Sequence, residues 1–187
     1  NATPEKLTEV TEHNLAALER MIDYNRKNHI QLFRISSDLI PFGSSPVNAL
    51  PWWDIHAEAF QHIGAKIRKS GIRVSFHPGQ YTVLNSPDED VVVRAILDLA
   101  YHAKMLECLG VDNQHKIVLH VGGIYGDKKE ALERFEQNFR RLPEAVRNRL
   151  IIENDDRLYN IEEVLELAHR LQIPAVYDNL HHAINPP

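Results

Sequence analysis

What most constrains this chain is an alternation: a helix with apolar residues at helical spacing, then a short run rich in Val and Ile, five times in succession. Thr3 before Pro4 reads as a hydroxyl N-cap followed by proline at the first helical position, and Leu7, Val10, Leu15, Leu18, Met21 and Ile22 continue at helical spacing. A strand is expected over 30–35, then a loop holding Pro41, Gly43, Ser44, Ser45 and Pro46. The second helix runs over 51–69 and stops at Gly71; the strand 72–76 then ends in His77-Pro78-Gly79. Ser86 and Glu89 have the spacing of a capping box for a third helix, closed by Gly110, and the strand 117–121 runs into Gly122-Gly123. Asp127 and Glu130 cap a fourth helix in the same style, ending before Pro143. The strand 150–153 follows, then Asn154-Asp155-Asp156. Asn160 and Glu163 cap a fifth helix to about 171, and the strand 174–178 leads into Asn179-Leu180-His181-His182.

Alternation of this kind implies a parallel sheet covered by helices, with strands apolar on both faces. An open doubly wound sheet and a (β/α)8 TIM barrel compete. The first strand lacks a G-x-G-x-x-G phosphate turn, which weakens the dinucleotide-binding version. A complete barrel needs about 250 residues and eight strands. Here 187 residues hold five strands and open on a helix, with Asn1 in place of Met. The expectation is an α/β chain, one incomplete TIM-barrel domain over 1–187 that lacks its first strand and its last two.

Composition narrows the function classes. No run approaches the roughly 18 uncharged apolar residues of a membrane span, and no secretory signal is visible. The single cysteine, Cys108, excludes an internal disulfide and a Cys-based zinc site, and fits a reducing, cytoplasmic compartment. The net charge of −5 argues against coating nucleic acid through bulk charge, but not against a nuclease whose positive field comes from bound metal. Eleven histidines raise the question of metal ligation.

The polar residues gather where strands end: Ser36, Ser37 and Asp38; His77; His120; Glu153 and Asp155; Asp178, His181 and His182. In a parallel barrel every strand's carboxyl end opens on one face, where catalytic groups lie. Mixed His and Asp/Glu sets are what Zn²⁺, Mn²⁺ and Fe²⁺ sites use. A single strand-end histidine is more often a hydrogen-bonded loop residue; repetition on four successive strands is what points to metal. His181 and His182 are adjacent and cannot both face one centre. His13, His29, His56, His62, His102, His115 and His169 read as solvated or packed, Trp52 and Trp53 as a packing anchor. Arg34 reads as either a buried partner of Asp38 or a phosphate ligand.

The strings His77-Pro78-Gly79-Gln80-Tyr81, Leu119-His120-Val121-Gly122-Gly123 with Tyr125-Gly126, Glu153-Asn154-Asp155-Asp156 and Asp178-Asn179-Leu180-His181-His182 closely resemble the UV damage endonuclease family. Arg34-Ile35-Ser36-Ser37 and Leu39-Ile40-Pro41-Phe42 are similar to it too, so the likeness runs along nearly the whole chain. The resemblance implies a TIM barrel, related in architecture to endonuclease IV, that nicks UV-damaged double-stranded DNA 5′ to pyrimidine dimers and 6-4 photoproducts. It implies His77, His120, Glu153, Asp178 and His181 as ligands of a cluster of up to three Mn²⁺ ions, with Glu153, His120 and Asp178 carrying catalysis. Gln80 and Tyr81 match the pair with which the family probes the duplex at the lesion. A bacterial, monomeric protein is the corresponding expectation.

Divalent ions activate water, orient the phosphate and stabilise the departing oxygen, so no protein nucleophile is required. A dimer weakens stacking and pairing, which lowers the cost of flipping it out, and an amide and a ring after a Pro-Gly turn suit the resulting gap. Ser45 stands where the family often has a histidine ligand, with Asp54 and His56 as nearby substitutes. Other family ligands lie on strands outside these residues, so only part of the cluster is expected here. A metal-dependent sugar isomerase or epimerase, whose barrels gather the same residue types, and a non-catalytic DNA-damage binder are the alternatives.

Overall fold

The structure is a computed structural model that describes residues 2–187; Asn1 lies outside the described residues. It divides into two compact units, residues up to His77 with Tyr101–Lys116, and Pro78–Ala100 with Ile117–Pro187. Every strand pair recorded within them is parallel. Among the described residues no helix is long and apolar enough to cross a membrane.

The first unit begins with α1 (Pro4–Lys27), where the Thr3 side chain accepts from the Lys6 amide at 3.3 Å, as expected of that cap. Its buried face is Leu7, Leu15, Leu18 and Ile22. Strands β1 (Leu32–Arg34) and β2 (Arg73–Phe76) pair in register Leu32↔Arg73 to Arg34↔Ser75. Between them lie α2 (Trp52–Ile55) and α3 (Ala57–Ser70), so the helix expected over 51–69 is two helices meeting at His56. Phe60, Ile63 and Ile67 of α3 are buried, each contributing on the order of 2 kcal/mol of apolar burial. Gly64 is obligatory: a Cβ there would lie 1.8 Å from the Leu109 carbonyl oxygen. Arg34 is exposed rather than the buried partner of Asp38, because β1 is three residues long and its outer positions face solvent. Of the two tryptophans read as a packing anchor, Trp52 is buried, edge-on to Tyr101 at 5.7 Å, whereas Trp53 is exposed and only leans its ring on Trp52 at 5.4 Å.

The second unit holds β3 (Lys116–His120), β4 (Leu150–Glu153) and β5 (Ala175–Val176). Strand β4 is buried at all four positions, as a central parallel strand should be. Helix α4 (Glu89–Cys108) gives its residues up to Ala100 to this unit. Helices α5 (Lys128–Arg141), α6 (Glu144–Arg147), α7 (Ile161–Leu171) and α8 (Asn179–Ile184) complete it. Asn160 and Glu163 form the full capping box on α7. The box expected at Ser86 and Glu89 does not form: α4 starts at Glu89 itself, Asp88 accepts from the Asp90 amide at 2.9 Å, and the Glu89 carboxylate pairs with Arg141. An aspartate one residue before the helix outcompetes a serine three before it.

Candidate metal centre

Parallel pairing in the register His120↔Glu153 and Glu153↔Val176 levels the carboxyl ends of β3, β4 and β5. That puts His120 Nε2 3.5 Å from Glu153 Oε2. Glu153 is 4% exposed, and a carboxylate so deeply placed needs a cation or a protonated partner. The His120 and His181 rings lie 5.4 Å apart, centre to centre.

Asn154, fully buried after Glu153, arranges the remainder. Its side-chain amide donates to the Asp178 carbonyl at 3.0 Å and accepts from the Asp178 amide at 2.9 Å. Its own backbone carbonyl lies 2.8 Å from His181 Nδ1. A carbonyl only accepts, so Nδ1 carries the proton and Nε2 keeps a lone pair. Histidine ligands are commonly oriented by such a bond to the other nitrogen.

Asp178 is the N-cap of α8, a helix absent from the sequence reading. Its Oδ1 accepts from the Leu180 and His181 amides at 2.8 and 2.9 Å, and its Oδ2 lies 3.6 Å from His181 Nδ1. The His181 amide bond, then the nearby imidazoles of His181 and His120, hold the Asp178 carboxyl below the usual carboxylate range. Two carboxylates and two imidazoles, one with its tautomer set, are residue types that could hold a divalent ion. His182 instead packs its ring on Tyr177 at 5.2 Å, so of the adjacent pair His181 alone joins the cluster.

In the first unit His77 directly follows β2, its carbonyl accepting from the Ser37 hydroxyl at 3.2 Å, and Ser37 also meets His102 Nε2 at 2.9 Å. His56 lies buried at the α2–α3 junction, where burial lowers its pKa and the Glu12 carboxylate of α1 opposes that shift. Asp155 serves its loop, accepting from the Arg157 and Tyr159 amides.

Gln80 and Tyr81 are the central residues of a turn closed by the Thr82 amide on the Gly79 carbonyl at 2.9 Å. Both are exposed, Tyr81 by 83%, and the Thr82 hydroxyl fastens the turn to Asp98 at 2.7 Å. Thr82 and Asp98, and the role of Asn154, were not read from the sequence. For Asn154 a signal existed, since a polar residue directly after a buried strand-end carboxylate must find partners.

The family model of the UV-endonuclease UvdE matches residues 1–187. A UV DNA damage endonuclease of Clostridium perfringens is 45% identical over 95% of the chain, and one of Bacillus cereus is 37% identical over 97%. These matches cover 43% and 57% of the two relatives, so the chain spans about half the length of the curated relatives it matches. The crystal structure of SacUVDE superposes with a TM-score of 0.94 at 42% identity, over 97% of this chain and 62% of that one. Fold likeness extends further, to D-psicose 3-epimerase from Clostridium cellulolyticum and endonuclease IV from Thermus thermophilus, at TM-scores of 0.64 and 0.61. They are 18% and 20% identical, over 90% and 88% of this chain and 60% and 58% of theirs, a likeness in fold alone. The architecture is thus of the TIM-barrel type, and the chain belongs to the UV-endonuclease UvdE family.

Proposed function

We propose that this chain carries the metal-binding part of an intracellular DNA repair endonuclease that nicks the backbone 5′ to UV photoproducts in double-stranded DNA. The observation that carries the reading is the cluster of His120, Glu153, Asp178 and His181 with its tautomer set by Asn154. His77, at the carboxyl end of β2, is the proposed fifth ligand, on the strength of its His77-Pro78-Gly79-Gln80-Tyr81 motif. Mn²⁺ is the proposed ion, and the proposed protein is a monomer.

When bound, divalent ions supply charge to the phosphodiester and lower the pKa of water. The protein's share is orientation. Glu153 and Asp178 contribute negative charge that retains the cations, and His120 and His181 offer neutral nitrogen donors. Asn154 keeps the His181 proton on Nδ1. Gln80 and Tyr81, on an exposed turn, reach into the duplex where a lesion has weakened stacking. Epimerase chemistry shares the barrel but draws no support from a solvent-facing Gln-Tyr turn.

The test is metal content by elemental mass spectrometry after reconstitution with Mn²⁺ and removal of excess ion, together with nicking of irradiated against intact plasmid. Retained ion, lost in Glu153→Gln, with nicking confined to irradiated plasmid, is the expected result. A folded chain that retains no ion overturns the assignment of the cluster.

A further inference from the structure

We propose that Tyr125 is a second nucleic-acid contact of this chain, a stacking surface for a nucleobase displaced from the duplex, held in place by Asn85 and Tyr159 and backed by Arg134. The inference rests on the endonuclease reading and extends it to a residue outside the Gln80–Tyr81 turn.

The loop after β3 is unusually fixed. Gly122, Tyr125 and Gly126 all have positive φ, at 109°, 50° and 89°. A Cβ on Gly122 would lie 2.4 Å from Asn85 Oδ1, so no other residue fits. The Gly123 carbonyl receives two donors, Asn85 Nδ2 at 2.6 Å and the Tyr159 hydroxyl at 3.0 Å, and both of those side chains are fully buried. Two buried side chains converging on one loop carbonyl restrain its position.

Tyr125 pays for none of that order. Left-handed backbone suits glycine or asparagine, and a bulky aromatic there is uncommon. Folding alone would also bury the ring, yet it is 47% exposed. Strained residues on an over-determined loop mark places where a side chain is presented to something else. The chemistry of presentation suits a base. One edge of the ring rests against Gly123, and the Arg134 guanidinium carbon lies 5.8 Å from its centre. Arg134 is committed by its Nε bond to the Asn85 carbonyl at 2.9 Å, and its Nη2 is buried without a hydrogen-bond acceptor among the described residues. A ring with a fixed cation beside it, half open to solvent, is how single-stranded bases are bound without regard to sequence. Asn85 also belongs to the segment that displays Gln80 and Tyr81, so the two exposed tyrosines share one frame.

The test is binding of the Mn²⁺-reconstituted chain, under EDTA-free conditions with Ca²⁺ in place of excess Mn²⁺, to a duplex oligonucleotide carrying one thymine dimer. Tyr125→Gly removes the ring and relaxes the positive φ, so it folds at least as readily. It should weaken binding roughly tenfold, with metal content and melting temperature unchanged. Tyr125→Phe should bind like the parent, because stacking needs the ring and not the hydroxyl. Parent-like binding by Tyr125→Gly, or equal loss in Tyr125→Phe, overturns the stacking role while leaving the endonuclease reading intact. Failure of the unmodified chain to prefer the damaged duplex overturns both.

Discussion

The cluster at the ends of β4 and β5 and the turn that follows β2 differ in how their side chains are held. His181 is fixed through Nδ1 by a backbone carbonyl, Asp178 through Oδ1 by two amides, and Glu153 by burial. Gln80 and Tyr81 stand in solvent, with a threonine–aspartate bond fastening only the base of their turn. An ion tolerates ligand displacement of a few tenths of an ångström, so its donors must be preset. In the proposed role, Gln80 and Tyr81 must instead enter a gap that exists only after DNA has docked. Ordered donors and displayed probes therefore predict separable failures.

The largest effect should come from Glu153→Gln, which keeps shape and removes charge. Mn²⁺ retention and nicking should fall by more than the roughly 100-fold typical of losing an orienting group, with far-UV circular dichroism unchanged. Full activity would erase the distinction at its strongest point. Asn154→Ala tests orientation: metal affinity should fall about 10–100-fold, and unfolding should become easier by about 2 kcal/mol because the Asp178 amide loses its acceptor and the Asp178 carbonyl keeps only the His182 amide. Loss of stability with unaltered metal affinity would reduce Asn154 to a strut. Gln80→Ala with Tyr81→Ala should lower the preference for irradiated DNA about tenfold and leave metal content alone. Metal loss in that variant would show that the two regions are one.

Tyr159, a tyrosine that holds rather than displays, gives the smallest effect. Burial pushes its hydroxyl up to about 12 from 10.0. The neutral form is favoured by the fold, so its contribution is complete below pH 10 and disappears as pH rises toward 12. Tyr159→Phe should cost about 1 kcal/mol at neutral pH and flatten the alkaline decline measured by denaturant titration.

The parallel α/β plan was legible because the strands read as apolar runs, most completely β4 with all four positions buried, and the Thr3 and Asn160 caps carry local chemistry. The residues His120, Glu153, Asp178 and His181 were legible for the same reason, as polar residues at the ends of apolar runs. What stayed hidden depends on competition or on contacts distant in sequence. Asp88 displaced Ser86 as the cap of α4, a choice between two local acceptors of similar merit. Helix α8 is six residues long, too short to show a period, although Asp178 is a good N-cap. The bond from Asn154 to Asp178 spans 24 positions, and no pattern of spacing announces it.

The Asn154 amide stands in for a peptide group: it donates and accepts against the Asp178 backbone as a further strand residue would, one rung past a β5 only two residues long. The ladder is thus carried on by a side chain, and Tyr177, half-exposed between β5 and Asp178, is relieved of pairing duty. That separates the register of Asp178 from the identity of its neighbour. Exchanges of the Tyr177 side chain leave the bonds between Asn154 and the Asp178 backbone untouched, so Asp178 keeps its register whatever stands before it.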